Sequence, residues 1–173
     1  MAVGAYPGSF DPPTVAHLAI AAAAIRQGRL ARVDLVLSRA PLGKSTGRAS
    51  LAAREEVLTA VGKGRPWLRV VVTDAQLVAD VAAGYDAVVL GADKWAQVAD
   101  PAWYGSTDER DDALRRLPRA LVAPRAGITP TDLPPDAVLL HVHAAHGDVS
   151  STGAHGHEPD WMLDEARRSG WWS

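Results

Sequence analysis

Six strand-length apolar runs separated by helical patterns constrain this chain more than any other feature. They are "AVGAY" (2–6), "VDLVLS" (33–38), "WLRVVVT" (67–73), "DAVVLGAD" (86–93), "RALVAP" (119–124) and "AVLLHVH" (137–143). Most are barely interrupted by polar residues, as expected of strands covered on both faces rather than wetted on one. Helical patterns fill 15–27, 50–61, 74–83 and 107–117, stopped by Gly28, Gly62, Gly84 and Pro118 in turn. A further helix is expected over 158–168, with Pro159 and Asp160 suited to its first turn. Regular alternation of strand and helix predicts an α/β fold, a doubly wound parallel sheet with flanking helices. The 173 residues, 47% of them apolar, suffice for one core, so residues 1–173 are expected to form a single domain.

Charge and composition then exclude several functions. Eighteen basic residues stand against twenty acidic ones, with no long run of one sign to grip a nucleic-acid polymer or an anionic membrane. The chain has no cysteine, which removes disulfides, thiolate nucleophiles and Cys-based zinc sites and fits a reducing compartment. The N-terminal "MAVGAYPGSF" lacks a signal peptide's basic start and apolar core. "LAIAAAAI" is well short of the roughly 20 apolar residues that span a bilayer. A cytoplasmic protein is the expectation.

Ligands of open parallel sheets gather at the carboxyl ends of the strands, where strand order reverses. The first such loop is Pro7-Gly8-Ser9-Phe10-Asp11-Pro12-Pro13. Gly8 permits close approach to the backbone, and the prolines turn the chain toward a helix. Thr14 is a suitable N-cap, which sets His17 in the first turn beside unpaired amides and the positive end of the helix dipole. That surrounding favours an anion such as phosphate. A tight turn with a packed or solvated His17 explains the same residues, and spacing alone leaves both readings open. The GxGxxG fingerprint of hydride-transferring dehydrogenases is not matched.

"GSFDPPTVAH" resembles the signature of the nucleotidyltransferase superfamily, which includes nicotinate mononucleotide and phosphopantetheine adenylyltransferases. There a GxFDP turn is followed by (H/T)xGH; Thr14 and His17 stand at its outer positions, and Ala16 replaces the usual glycine. The threonine resembles the phosphopantetheine branch, and later segments resemble the nicotinate branch. "GADKWAQVADPAWYG" (91–105) is similar to the family's strand-end GxD followed by tryptophans, "VAPRAG" (122–127) to an RPG-like turn, and "VSST" (149–152) to ISSTxxR. The motif's arginine, three residues after Thr152, is replaced by His155.

The resemblance implies a Rossmann-like fold and adenylyl transfer from ATP to the phosphate of nicotinate or nicotinamide mononucleotide, releasing pyrophosphate. It assigns Gly8, Ser9 and Phe10 to phosphate, with His17, Thr14 and Lys44 as the catalytic residues. Gly91, Asp93, Arg125, Ser150, Ser151, Thr152 and His155 would bind nucleotide, and Trp95 and Trp103 the acceptor. The magnesium ion would be held mainly by ATP phosphates, so that no carboxylate cage is required. Transfer to phosphopantetheine and a nucleotide-binding homologue with weak or no catalysis are the alternatives, the latter suggested by Ala16 and His155. As bland alternatives, Trp95 and Trp103 serve as packing anchors and Lys44 as a surface lysine.

Two other motifs are weaker. "GKST" (43–46) lacks the leading glycine of a phosphate-binding P-loop, because Ser38 holds that position. His141, His143, His146, His155 and His157 crowd together, and His141 and His143 would share one side of a strand, but no carboxylate falls at a ligand spacing. Trp171 and Trp172 are expected to pack either on this domain or on a second copy, which leaves a homo-oligomer open.

Overall fold

The computed structural model describes residues 1–42, 48–156 and 158–173. Its centre is a six-stranded, wholly parallel sheet in the order β3-β2-β1-β4-β5-β6. The strands are β1 Val3–Pro7, β2 Arg32–Ser38, β3 Leu68–Thr73, β4 Ala87–Gly91, β5 Arg119–Ala123 and β6 Val138–Leu139. The helices are α1 Val15–Gly28, α2 Leu51–Gly62, α3 Val78–Val81, α4 Ala92–Ala99, α5 Thr107–Arg116, α6 Ser151–Ala154 and α7 Asp164–Ser169. The doubly wound, Rossmann-like expectation holds, and the reversal of strand order falls between β1 and β4.

The unbroken apolar runs serve both faces. On β4, Ala87 and Val89 enter the core shared with α1, while Val88 and Leu90 enter the opposite core with Val81 and Trp95. On β5, Leu121 and Ala123 face the first core and Ala120 and Val122 the second. The period of two divides each strand between two cores, which is why no polar stripe appears in these sequences.

Four stretches differ from the sequence expectation, and one of them is the last strand, expected over 137–143, which keeps only Val138 and Leu139 and leaves His141 and His143 outside it. The helix expected over 74–83 shrinks to α3. The helix expected over 158–168 splits into a 3₁₀ turn, Pro159–Trp161, and α7. Its middle is claimed by tertiary pairing: Met162 forms an antiparallel bridge to Thr14, and the Leu163 N–H donates to the Pro13 carbonyl at 3.1 Å. In the fourth stretch, the run expected to remain strand through Asp93 ends at Gly91, and the chain enters α4 at once.

Two buried carboxylates organise opposite regions. Asp34 on β2, 3% exposed, receives the Arg32 Nε–H at 2.7 Å and the Tyr85 hydroxyl at 3.1 Å. Partial burial, and then the negative Asp34, push the Tyr85 phenol up to about 12. Asp11 is 8% exposed and accepts N–H groups from Arg48 at 2.7 Å, Ala49 at 3.1 Å and the Trp172 indole at 2.6 Å. Trp172 therefore packs on this domain, beside Ala49, Ala53 and Val57.

Trp172→Ala should lower the unfolding free energy by about 3 kcal/mol, read from the urea midpoint, because it empties a buried indole site and strips Asp11 of a donor. Tyr85 holds its proton more tightly folded than unfolded, so its stabilisation is complete below pH 10 and declines as pH rises toward about 12. Urea titrations at pH 9 and 11 should show a smaller alkaline loss for Tyr85→Phe than for the native chain.

Candidate functional site

The carboxyl end of β1 meets the switch point of the sheet, and the loop that follows is built around one aromatic ring. Phe10 is 1% exposed and takes a left-handed backbone, φ 46°, which folds the loop over its own side chain. A Cβ on Gly8 would lie 2.8 Å from the Phe10 ring, so glycine is required there for contact rather than for φ. The Phe10 ring stands edge-on to Tyr6 at 5.5 Å and to His17 at 5.0 Å between centroids. The Asp11–Pro12 peptide is cis, and Thr14 then opens α1.

Thr14 and His17 lock one another. The Thr14 backbone N–H donates to His17 Nδ1 at 3.0 Å, and the Thr14 hydroxyl lies 2.9 Å from the same nitrogen. The His17 backbone N–H in turn reaches the Thr14 hydroxyl at 3.4 Å. This is a capping box in which histidine takes the place of the usual glutamate or glutamine. A backbone amide can only donate, so Nδ1 must accept, and in the neutral ring the proton sits on Nε2. The Thr14 contacts thus fix the ring's tautomer and orientation at the positive end of a 14-residue helix.

The other expected nucleotide residues gather around the same end of the sheet. Gly91 caps α4 without a side chain, and a Cβ there would meet nothing within 4 Å. Asp93 and Arg125, from the ends of β4 and β5, form an ion pair of 3.1 Å. Both are partly exposed, so the pair orients two side chains more than it stabilises the fold. Ser150 caps α6 by accepting the Gly153 N–H at 3.0 Å, and the Ser151 hydroxyl donates to the Pro12 carbonyl at 2.7 Å. That bond ties the serine-rich turn to the first loop. Thr152 is exposed, and His155 is half-buried just past α6. Lys44 lies outside the described residues, as does His157.

The tryptophans divide. Trp95, expected to offer a face to an acceptor ring, is 3% exposed and belongs to the core under the sheet, its Nε1–H donating to the Thr131 carbonyl at 2.9 Å. The early start of α4 explains this correction, since it turns Trp95 inward at the position next to Val98. Trp103, 41% exposed, does reach the cleft.

That cleft opens on the other side of the first loop from α1. It measures about 850 Å³ including its open mouth. Gly8, Ser9, Val36, Leu77, Trp103 and Tyr104 supply much of its wall, with Arg54 and Lys94 as the cations that line it among the described residues. Sequence reading missed Arg54, although the spacing Arg54, Leu58, Val61 sets it on the buried face of α2. Its Nη1–H donates to the Ser9 carbonyl at 2.9 Å, holding the loop from behind. Among the described residues no group of three His, Asp or Glu side chains could hold a metal ion. No helix among them is long and apolar enough to cross a membrane.

Comparison with known families matches residues 5–153 to the cytidylyltransferase-like family, and the chain belongs to it. Among solved structures, nicotinic acid mononucleotide adenylyltransferase of Plasmodium falciparum complexed with NaAD is similar at a TM-score of 0.73. That match has 13% identity and covers 96% of this chain and 93% of the other. The same enzyme complexed with APC gives 0.70 and 13%, over 96% and 92%. No curated protein sequence matches significantly. At this identity the structures establish a shared fold.

Thr14→Ala should cost about 1 kcal/mol in urea unfolding through the lost cap, whereas Thr14→Ser should stay close to the native value.

Proposed function

We propose that this member of the cytidylyltransferase-like family transfers the adenylyl group of magnesium-bound ATP to the phosphate of a pyridine mononucleotide, releasing pyrophosphate. The observation that carries the reading is the Thr14–His17 lock beside the Gly8–Phe10 loop, at the point where strand order reverses. Family membership supports nucleotidyl transfer as the class of reaction. The likeness in fold to the Plasmodium falciparum enzyme makes a pyridine mononucleotide the first acceptor to test.

In this reaction an oxygen of the acceptor phosphate attacks the α-phosphorus, and the bond from that phosphorus to the β-bridging oxygen breaks. No covalent enzyme intermediate is needed; two anions have to be aligned and their repulsion screened. His17 would donate from Nε2 to the α-phosphate oxygens, where charge builds in the transition state. Thr14 sets the tautomer and the ring angle, so this donor is organised before substrate arrives. Arg54 fixes the Ser9 carbonyl and so anchors the loop from α2. Lys44 would close on the leaving pyrophosphate, and Ser150, Ser151, Thr152 and His155 would flank its distal phosphates. Ser151 already spends its hydroxyl proton on the Pro12 carbonyl, whereas Ser150 accepts the Gly153 N–H and keeps its own O–H to donate toward a phosphate. Asp93 and Arg125 would exchange part of their mutual pairing for ribose and phosphate contacts.

Magnesium fits this site as part of the triphosphate, because it is satisfied by phosphate and water oxygens and needs no protein cage. Bound there, it supplies charge screening. One departure favours a second reading. Arginine offers a permanent fork of donors, and His155 in its place offers at most two, which suits a nucleotide-binding homologue with weak chemistry.

Pyrophosphate release from ATP with nicotinate mononucleotide, nicotinamide mononucleotide and phosphopantetheine decides among these. Release with a pyridine mononucleotide is the expected result; ATP binding without release under any acceptor would overturn the transfer. His17→Ala should lower kcat by several orders of magnitude while ATP affinity changes far less, since the donor acts mainly on the transition state.

A further inference from the structure

Two adjacent tryptophans part after α7: Trp171 is exposed and Trp172 is buried. Gly170 makes the difference. Its left-handed backbone, φ 74°, caps α7 and turns the chain back toward the body of the fold. The turn is held from within. The Ser169 hydroxyl donates to the Ala166 carbonyl at 2.7 Å and accepts the Trp171 N–H at 3.3 Å, and the Ser173 hydroxyl donates to the Gly170 carbonyl at 2.7 Å. Trp172 is so delivered into a cluster with Ala53 and Val57 of α2, Ala154 of α6 and Ala166 of α7.

Packing alone would be met by any large apolar ring. The indole does more, because its Nε1–H donates at 2.6 Å to Asp11 Oδ1. The same oxygen accepts the Ala49 N–H at 3.1 Å, and Oδ2 accepts the Arg48 N–H at 2.7 Å. Of these three donors two are backbone amides, and only the indole belongs to a side chain. Asp11 directly follows Phe10 and leads through two prolines to Thr14, so its carboxylate stands between the Gly8–Phe10 loop and the Thr14–His17 lock. A bond that holds Asp11 in place therefore bears on both. The residues that carry Trp172 to this point also touch the same turn through backbone, with Met162 bridged to Thr14 and the Leu163 N–H on the Pro13 carbonyl. Trp172 itself is no part of the cleft wall.

We propose that Trp172 is a positioning residue of the reaction: through its hydrogen bond to Asp11 it keeps the first loop in the arrangement that receives phosphate. Its effect on turnover rests on the transfer reading above; its hold on the loop does not. Donors fixed before the substrate arrives act mainly on the transition state, and a misplacement of about 1 Å can cost about a hundredfold in rate.

Trp172→Phe keeps a large buried ring and deletes the N–H, whereas Val57→Ala loosens the same cluster without removing a donor to Asp11. Amide hydrogen exchange of the full chain reads the loop without any chemistry. In Trp172→Phe the Gly8 amide, which donates to the Val36 carbonyl at 3.1 Å, and the Arg48 and Ala49 amides should exchange at least about tenfold faster. In Val57→Ala they should keep the native rate once corrected for global stability. Pyrophosphate release should show kcat lowered at least about tenfold in Trp172→Phe with KM for ATP within about twofold of native, and kcat within about twofold of native in Val57→Ala. Asp11→Asn should lower kcat as well, and adding Trp172→Phe to it should lower it little further, because both act through one bond. Native exchange rates in Trp172→Phe, equal acceleration in Val57→Ala, or losses that multiply in the double variant would overturn this inference. Native kcat in Trp172→Phe would overturn it and leave the transfer reading standing. Faster exchange in Trp172→Phe with no pyrophosphate release by the native chain would overturn the transfer reading alone.

Discussion

A carboxylate 8% exposed has to be given donors, and the way Asp11 obtains them sets the arrangement of everything around the first loop. Its three N–H partners come from the entry to α2, through Arg48 and Ala49, and from the C-terminal Trp172. Neither region is near Asp11 in sequence. The side chain closes a ring of contacts in which the loop after β1, the start of α2 and the last residues of the chain hold one another. Ser151 on Pro12, Leu163 on Pro13 and Met162 on Thr14 extend the same closure. The loop that would meet phosphate is thus clamped from three sides, so its amides are already fixed in place when a ligand arrives.

Histidine at the third position of α1 serves the helix and the site with one ring. A glutamate there would cap the helix equally well and add a negative charge where the proposed phosphate would lie. Histidine accepts the Thr14 N–H through Nδ1 and keeps a donor at Nε2, so capping and anion binding no longer compete. The loss of glycine at the position of Ala16 is compatible with this, because Ala16 is 5% exposed and its methyl joins the packed side of α1.

Charge is distributed unevenly around the loop. On the α1 side the fold offers dipoles and a histidine donor; on the cleft side the described residues offer Arg54, Lys94 and an aromatic wall. The net charge of the chain is -2, so this local positive character arises from which residues are brought together and not from composition. Arg54 illustrates the cost: it is buried to hold Ser9, and its charge is then available to the cleft.

Much of the fold was legible in the apolar runs, because a strand covered on both faces must be apolar at nearly every position, and that pattern survives in one dimension. The turn from Gly8 to His17 was equally legible, since glycine, proline and a capping threonine act on their immediate neighbours. The failures share a different cause. The 158–168 segment has helical composition but is broken by backbone pairing to Pro13 and Thr14, residues far away in sequence. Trp95 and Trp103 look alike as letters, and only the early start of α4 turns the first into the core and leaves the second at the cleft. Arg54 and Lys94 lie on separate helices, and nothing local tells that they share one cavity. Sequence alone determined the layered parallel sheet and the anion-favouring first turn, both products of short-range pattern. Tertiary structure alone decided which cations and which aromatic face the cleft, because that depends on contacts between segments that only folding brings together.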